Sequence, residues 1–125
     1  MAEESRPKIL PQSLRGKKRY VVFEILSDEK IEYSDFSSAV WNTLLGFLGD
    51  LKSSEAKVFL IKNLYVAETK RGVIKVDHNY IEELRAVLSL IQYIGETKII
   101  VKILGVTGTI KSAQTKYLEV LKKYE

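Results

Sequence analysis

The stretch Arg19-Tyr-Val-Val-Phe-Glu-Ile-Leu26 is the first of four stretches with the pattern of a β-strand, and the expected fold is built outward from it. Apolar side chains alternate along this stretch, and its β-branched and aromatic residues favour an extended strand. Stretches of similar character follow at residues 57–65, 73–76 and 98–104. We therefore expect one sheet of four strands.

Helical periodicity separates these strands. Apolar residues recur at three- and four-residue spacing over residues 36–51, 81–91 and 110–124. Gly49 is expected to end the first helix. The expected N-terminal caps are, in order, Ser34 or Asp35, Asp77 or Asn79, and Thr109. The polar stretch 68–72 predicts a hairpin, so the second and third strands should be antiparallel.

The resulting order, βαββαβ followed by α, is that of the ferredoxin-like, or RRM-like, α+β fold. This fold is a four-stranded antiparallel sheet with two helices on one face. The C-terminal helix is an addition to it. Tyr20, Val22, Ile100 and Leu104 give the second face of the sheet an apolar character. We expect the additional helix or a partner to cover part of that face.

Length and composition indicate one domain. The chain has 125 residues, of which 46% are hydrophobic, and this supports one core. Residues 1–14 contain both prolines and are expected to form an extended basic arm before a single domain over residues 15–125. No apolar stretch approaches the roughly 18 residues of a membrane span. The sequence also lacks the apolar segment of a signal peptide, and we expect a soluble, cytoplasmic protein without membrane contact.

The sequence lacks the residues that most protein-based catalytic mechanisms require. The chain has no Cys and a single His, which excludes disulfides, thiolate zinc sites and Cys–His or Ser–His nucleophile schemes needing a second such residue. We expect neither catalytic nor metal-binding residues. The net charge of +4 and the pI near 9.2 favour a polyanionic partner.

A basic cluster precedes the first strand. Residues 15–19 place four positive side chains within five positions, beside an arm that could follow a sugar–phosphate backbone. A solvated strand start is an equally good interpretation. The candidate RNA-binding residues of the whole chain are Arg15, Lys17, Lys18, Arg19, Arg71, Lys102, Thr109 and Lys111.

The turn before the last helix has two interpretations. Gly105-Val-Thr-Gly108 leads to Thr109 at a helix N-terminus, with Lys111 close behind. Free amides and a nearby cation suit a backbone phosphate. A purely structural cap is the favoured interpretation of Thr109, because every helix needs one.

The third strand carries a basic-Gly start, Arg71-Gly72, as in RNA-recognition motifs. Val73 and Lys75 stand where stacking rings would be expected, so any RNA contact here should depend on charge rather than on base stacking. Trp41 faces away from the apolar stripe of its helix. It is a candidate protein contact, with burial against the C-terminal helix as the alternative.

Three segments carry a resemblance to a known family. They are Leu10–Glu24 (LPQSLRGKKRYVVFE), Val40–Leu45 (VWNTLL) and Lys102–Lys111 (KILGVTGTIK). Together they resemble the archaeal ribonuclease P protein component 2 family, which is shared with eukaryotic ribonuclease P/MRP. The last of these segments is the most specific.

The resemblance implies a noncatalytic subunit of the ribonucleoprotein endonuclease that removes 5′ leaders from precursor tRNA. The RNA subunit would hold the catalytic centre and its Mg²⁺ ions, and this chain would hold no cofactor. The implied partners are the ribonuclease P RNA, precursor tRNA within the complex, the TIM-barrel-like component 3 (p30 family) and other ribonuclease P proteins.

Two alternatives remain open at this point. A ferredoxin-like acylphosphatase would hold phosphate in a Gly-rich loop after the first strand, but that position reads Ser27-Asp-Glu-Lys30, which is acidic and has no Gly. A module for protein binding or oligomerisation, including a homodimer, could instead use the apolar face of the sheet.

Overall fold

The computed structural model describes residues 17–119, and side chains as far as Tyr117. The predicted arm and Arg15 lie outside these residues. The strands are β1 (Lys18–Leu26), β2 (Phe59–Leu60), β3 (Arg71–Asp77), β4 (Tyr93–Ile94), β5 (Thr97–Lys98) and β6 (Ile100–Thr107). The helices are α1 (Tyr33–Ala56), α2 (Ile81–Leu90) and α3 (Ile110–Ala113), the last continuing as a π-helical segment, Gln114–Glu119.

The main sheet has the order β2-β3-β1-β6, and all its neighbouring strands are antiparallel. This order confirms the ferredoxin-like prediction, with β6 as the fourth strand. β4 and β5 form a small separate hairpin that the sequence pattern did not predict.

The first face of the sheet packs against α1 and α2. Phe23 of β1 is fully buried there, with its ring centroid 5.0 Å from that of Phe36 and 6.4 Å from that of Tyr65. Tyr65 donates its hydroxyl hydrogen to the carbonyl oxygen of Ile31 at 2.6 Å. Burial, and secondarily the charge of Glu32, raise the pKa of Tyr65 to about 12.

Several predicted boundaries were wrong. The second strand is only Phe59–Leu60 rather than residues 57–65, because the chain turns into a 3₁₀ helix at Lys62–Leu64. α1 begins at Tyr33, and the residue before it makes no side-chain cap. Gly49 interrupts α1 with a φ of +82°, but helical structure resumes and continues to Ala56. Asp77 caps the short 3₁₀ turn before α2 rather than α2 itself.

The second face of the sheet is partly covered by the C-terminal helix, as predicted. Ala113 and Tyr117 pack against Val22 and Val73 in a smaller apolar cluster. The ring and hydroxyl of Tyr117 occupy the space that a Cβ would need at Gly105. The absence of a side chain at this strand position therefore lets the helix approach the sheet.

Gly105→Ala is expected to destabilise the protein by about 1–3 kcal/mol, since Tyr117 must be displaced. Urea denaturation measures the change. Gly46→Ala is the matched control, because a Cβ there meets nothing within 4 Å. On an exposed helix position it should stabilise by about 0.5–1 kcal/mol. Equal stability of the Gly105 variant and the wild type would contradict the packing of Tyr117.

Candidate nucleic-acid interface

Strand alternation divides the basic cluster that precedes the first strand. Lys18 lies on the second face of the sheet, opposite Asp77 of β3, whereas Arg19 pairs with Val76 and points to the helix-covered face. Arg19 is half-buried, and its Nη1 donates to the carbonyl oxygen of Lys18 at 2.9 Å. The side chains of Lys18 and Arg19 therefore leave the strand on opposite faces, and an RNA contact by Arg19 stays a prediction.

One end of the sheet brings most of the candidate cations together. β1 starts where β6 ends, because Tyr20 pairs with Thr107. Exposed Lys17 and half-buried Lys18 therefore lie at the same end as exposed Lys111 of α3. We call this the cation end of the sheet. It presents several positive side chains to one side of the molecule.

His78 anchors the start of β1 at the cation end. Its backbone N–H donates to the carbonyl oxygen of Lys17 at 2.8 Å, and the Lys17 N–H faces the His78 Nδ1 at 3.3 Å. The His78 Nδ1 also lies 3.6 Å from Oδ1 of Asp77. The lone histidine thus holds the point at which the basic segment enters the sheet.

Thr109 is a structural cap. Its side-chain oxygen accepts the Ser112 N–H at 3.1 Å, and its carbonyl oxygen accepts the Thr107 hydroxyl at 2.9 Å. The N-terminal cap predicted from the sequence is therefore present. A phosphate contact by Thr109 stays a prediction.

Arg71 and Lys102 lie at the opposite end of the sheet. Both pair with Glu24 of β1, which is six residues from Lys18 and therefore roughly 20 Å away along the strand. Arg71 Nη2 lies 3.4 Å from Glu24 Oε1, and the two side chains are only 16% and 22% exposed. Within the described part of the chain, Nε and Nη1 of Arg71 have no hydrogen-bond partner. This arginine is thus enclosed in the protein beside a carboxylate.

Arg71→Met is expected to destabilise the protein by about 1–3 kcal/mol, because it leaves the Glu24 carboxylate without its cation. It should leave the salt dependence of RNA binding unchanged. Thermal unfolding and RNA titrations measure the two effects, and replacing both residues by Leu should recover part of the stability. A weaker salt dependence with wild-type stability would instead assign Arg71 to the RNA contact.

Acidic groups lie on the helix side of the cation end. Glu55, Tyr80 and Glu83 line an open cleft between α1 and the start of α2, with Lys52 as its one cation among the lining residues. The Tyr80 hydroxyl donates to Glu55 Oε1 at 2.7 Å, and this hydrogen bond is the main reason that the pKa of Tyr80 is raised. A polyanion should therefore approach from the second face of the sheet, where the lysines lie.

The loop after β1 does not suit a phosphate. The Lys70 Nζ is held by the carbonyl oxygen of Ser27 at 2.6 Å and its hydroxyl at 3.0 Å. Asp28 and Glu29 are exposed beside them. A phosphate-binding loop needs N–H donors that converge on the phosphate, whereas in this loop oxygen atoms converge on an ammonium group. The geometry disfavours the acylphosphatase alternative.

Among residues 17–119, no group of three or more His, Asp or Glu side chains is placed to hold a metal ion. No helix in the same range combines the length and apolarity needed to cross a membrane.

Trp41 is exposed on α1, on the helix side of the molecule. It lines a shallow groove with Tyr33 and Val58, and this groove ends at the edge strand β2, where Phe59 lies. The alternative of burial against the C-terminal helix is wrong, because that helix packs on the other face of the sheet.

The comparison with protein families agrees with this architecture. The model of the Rpp14/Pop5 family matches residues 19–118. The chain belongs to the Rpp14/Pop5 family. The resemblance to ribonuclease P proteins that the sequence motifs carried is therefore confirmed.

Curated relatives in the Rpp14/Pop5 family are named ribonuclease P protein component 2. The protein from Pyrococcus furiosus is 40% identical over 113 residues, covering 90% of this chain and 92% of the relative. That from Methanothermobacter thermautotrophicus is 28% identical, covering 93% and 97%. A chain in the cryo-EM structure of yeast ribonuclease MRP has the same fold, with a TM-score of 0.56 at 15% identity over 86% of this chain and 90% of that one.

Lys75 is a further cation of the second face, although it was not among the RNA-binding candidates predicted from the sequence. It pairs with Tyr20 and lies on the second face, diagonal to Lys18. Because side chains two residues apart on a strand share a face, the sequence could have placed Lys75 on the same face as Val73. Its neighbours on the adjacent strands could not be predicted, because they depend on the register.

Proposed function

We propose that this chain is a noncatalytic protein subunit of ribonuclease P and binds the RNA subunit through the cation end of its sheet. The names of its relatives and its membership of the Rpp14/Pop5 family support this role. The single structural observation that carries the RNA contact is the placement of Lys17, Lys18 and Lys111 at one end of the sheet. The catalytic groups and Mg²⁺ ions belong to the RNA in this proposal.

The lysines act by neutralising phosphates. A folded RNA brings backbone strands close together, and their mutual repulsion opposes compaction. Ammonium groups at the cation end replace condensed counterions at those backbones, and the release of counterions favours binding. The acidic cleft around Glu55 and Glu83 disfavours the reverse orientation. The protein thereby stabilises a folded RNA without taking part in bond cleavage.

A second surface suits a protein partner. From Ser34 to Gly49, α1 has one charged residue, Asp35, yet Trp41 is exposed on it beside the groove that Tyr33 and Val58 line. Protein interfaces are depleted in charge and enriched in aromatic residues at their centres, whereas an RNA surface needs cations. We assign this α1 surface to component 3 of ribonuclease P, with a second copy of this chain as the competing occupant.

Reconstitution tests the proposed function. The cognate RNA subunit, the component 3 protein and this chain are combined with precursor tRNA at low Mg²⁺, and each component is omitted in turn. We expect leader removal to fall sharply without this chain and to recover in part as Mg²⁺ is raised. Cleavage that is independent of this chain at every Mg²⁺ concentration, or cleavage by the chain alone, would contradict the proposal.

A further inference from the structure

Three side chains form a row across the second face of the sheet. Phe59 of β2 pairs with Lys75 of β3, and Lys75 pairs with Tyr20 of β1. Directly opposed residues of antiparallel strands point to the same face and lie about 5 Å apart at Cβ. The row therefore consists of the Phe59 ring, the Lys75 ammonium group and the Tyr20 ring, and neighbouring side chains are within reach of one another.

Tyr20, at one end of the row, packs against the cluster of Val22, Val73 and Ala113, whereas Phe59, at the other end, lies outside the contacts of that cluster in the described part of the chain. α3 packs on β1 and β6 and reaches Val73 of β3 through Ala113, whereas β2 forms the far edge of the sheet. Phe59 is 57% exposed, and Tyr20 and Lys75 are half-buried. An exposed phenylalanine beside a lysine has no evident role in folding, because the cores on both faces are built from other residues.

Charge around the row is positive. Lys18 lies diagonally across from Lys75, and Lys17 precedes it. Asp77 is the acidic residue nearest in the register on this face. Its Oδ1 already accepts the Asn79 N–H at 2.9 Å, and its side chain is only 13% exposed. An occupant must therefore offer flat apolar faces and negative charge together.

We infer that Phe59 and Tyr20 form a stacking site for unpaired RNA bases, with Lys75 and Lys18 contacting the phosphates between them. The inference rests on the proposed RNA-binding function and specifies its ligand as single-stranded RNA. Bases in a duplex are already stacked on each other, so only unpaired nucleotides can use protein rings. The sequence predicted no base stacking on this sheet because β3 itself carries no aromatic ring. The register, however, places Tyr20 of β1 and Phe59 of β2 on the two sides of Lys75.

Two oligonucleotides of equal charge test the inference on the full chain. One is a short single-stranded RNA containing 2-aminopurine, and the other has abasic sites at its central positions. We expect the wild type to bind the complete RNA roughly fivefold or more tightly than the abasic one and to quench 2-aminopurine. Phe59→Leu should abolish this preference, and Phe59→Tyr should retain it because the ring remains.

Tyr93→Leu is the matched control, since Tyr93 is also 57% exposed but lies in the separate β4–β5 hairpin. It should keep the wild-type preference. RNA binding that is salt-dependent but equal for both oligonucleotides in wild type and Phe59→Leu would overturn the stacking site and leave the proposed function intact. Absence of binding to either oligonucleotide and to the ribonuclease P RNA would overturn both.

Discussion

Replacing Lys18, Lys75 and Lys111 together by Ala is expected to weaken binding to the ribonuclease P RNA by about 100-fold or more at about 0.1 M salt. Lys18 and Lys111 belong to the cation end, and Lys75 extends it, because it lies diagonal to Lys18 on the same face of the neighbouring strand. If each neutralises one phosphate, the slope of log affinity against log salt should become shallower by about 2–3 units. Filter binding or fluorescence anisotropy over a salt series measures both quantities.

The control for this variant removes the same charge elsewhere. Lys30, Lys52 and Arg85 are exposed and lie in the β1–α1 loop and on the two helices. Their joint replacement by Ala should lower affinity only slightly and leave the slope nearly unchanged, because long-range attraction between exposed charges is screened. Equal losses for the two triple variants would mean that net charge rather than the cation end determines binding.

Phe23→Ala is expected to destabilise the protein by about 3–5 kcal/mol, the cost of an unfilled cavity in a closely packed core. Phe23 is fully buried on the helix-covered face, in contact with the rings of Phe36 and Tyr65. Gly72 on the neighbouring strand has no Cβ, and one would lie 2.8 Å from Cζ of Phe23. The absence of a side chain at Gly72 therefore leaves room for the Phe23 ring.

Urea denaturation of Phe23→Ala and of Phe47→Ala checks this prediction. Phe47 is 48% exposed on α1, so its truncation should cost well under about 1 kcal/mol. Similar losses for both variants would contradict the described core. The folded fraction of Phe23→Ala should keep the wild-type salt slope, because its ring does not lie on the second face.

The sequence predicted those parts of the fold that depend on local periodicity. Alternation along β1 and the three- and four-residue spacing in α1 and α2 each reflect one buried face. The predicted second strand was too long because Ile61, Leu64 and Tyr65 are apolar, as residues of a strand would be. In the structure they pack from a 3₁₀ turn and its flanks against different faces of the sheet.

The candidate site was harder to predict, because it depends on contacts between distant segments. Adjacent Lys18 and Arg19 point to opposite faces, and the partner of Arg71 is Glu24, 47 residues away. Phe59 and Tyr20 become neighbours of Lys75 only through the register of three strands. Composition and motifs indicated a polyanionic ligand, but pairing between strands determines which cations share a surface.

If the cation end replaces counterions around the folded RNA, added Mg²⁺ should compensate for its loss. The measurement is the Mg²⁺ dependence of precursor-tRNA cleavage in the reconstituted complex, with wild-type protein, the Lys18, Lys75 and Lys111 triple variant, and the Lys30, Lys52 and Arg85 control. We expect only the first triple variant to raise the Mg²⁺ concentration required for half-maximal cleavage, while the rate at saturating Mg²⁺ stays at the wild-type value. An unchanged Mg²⁺ requirement for that variant would rule out counterion replacement by these lysines.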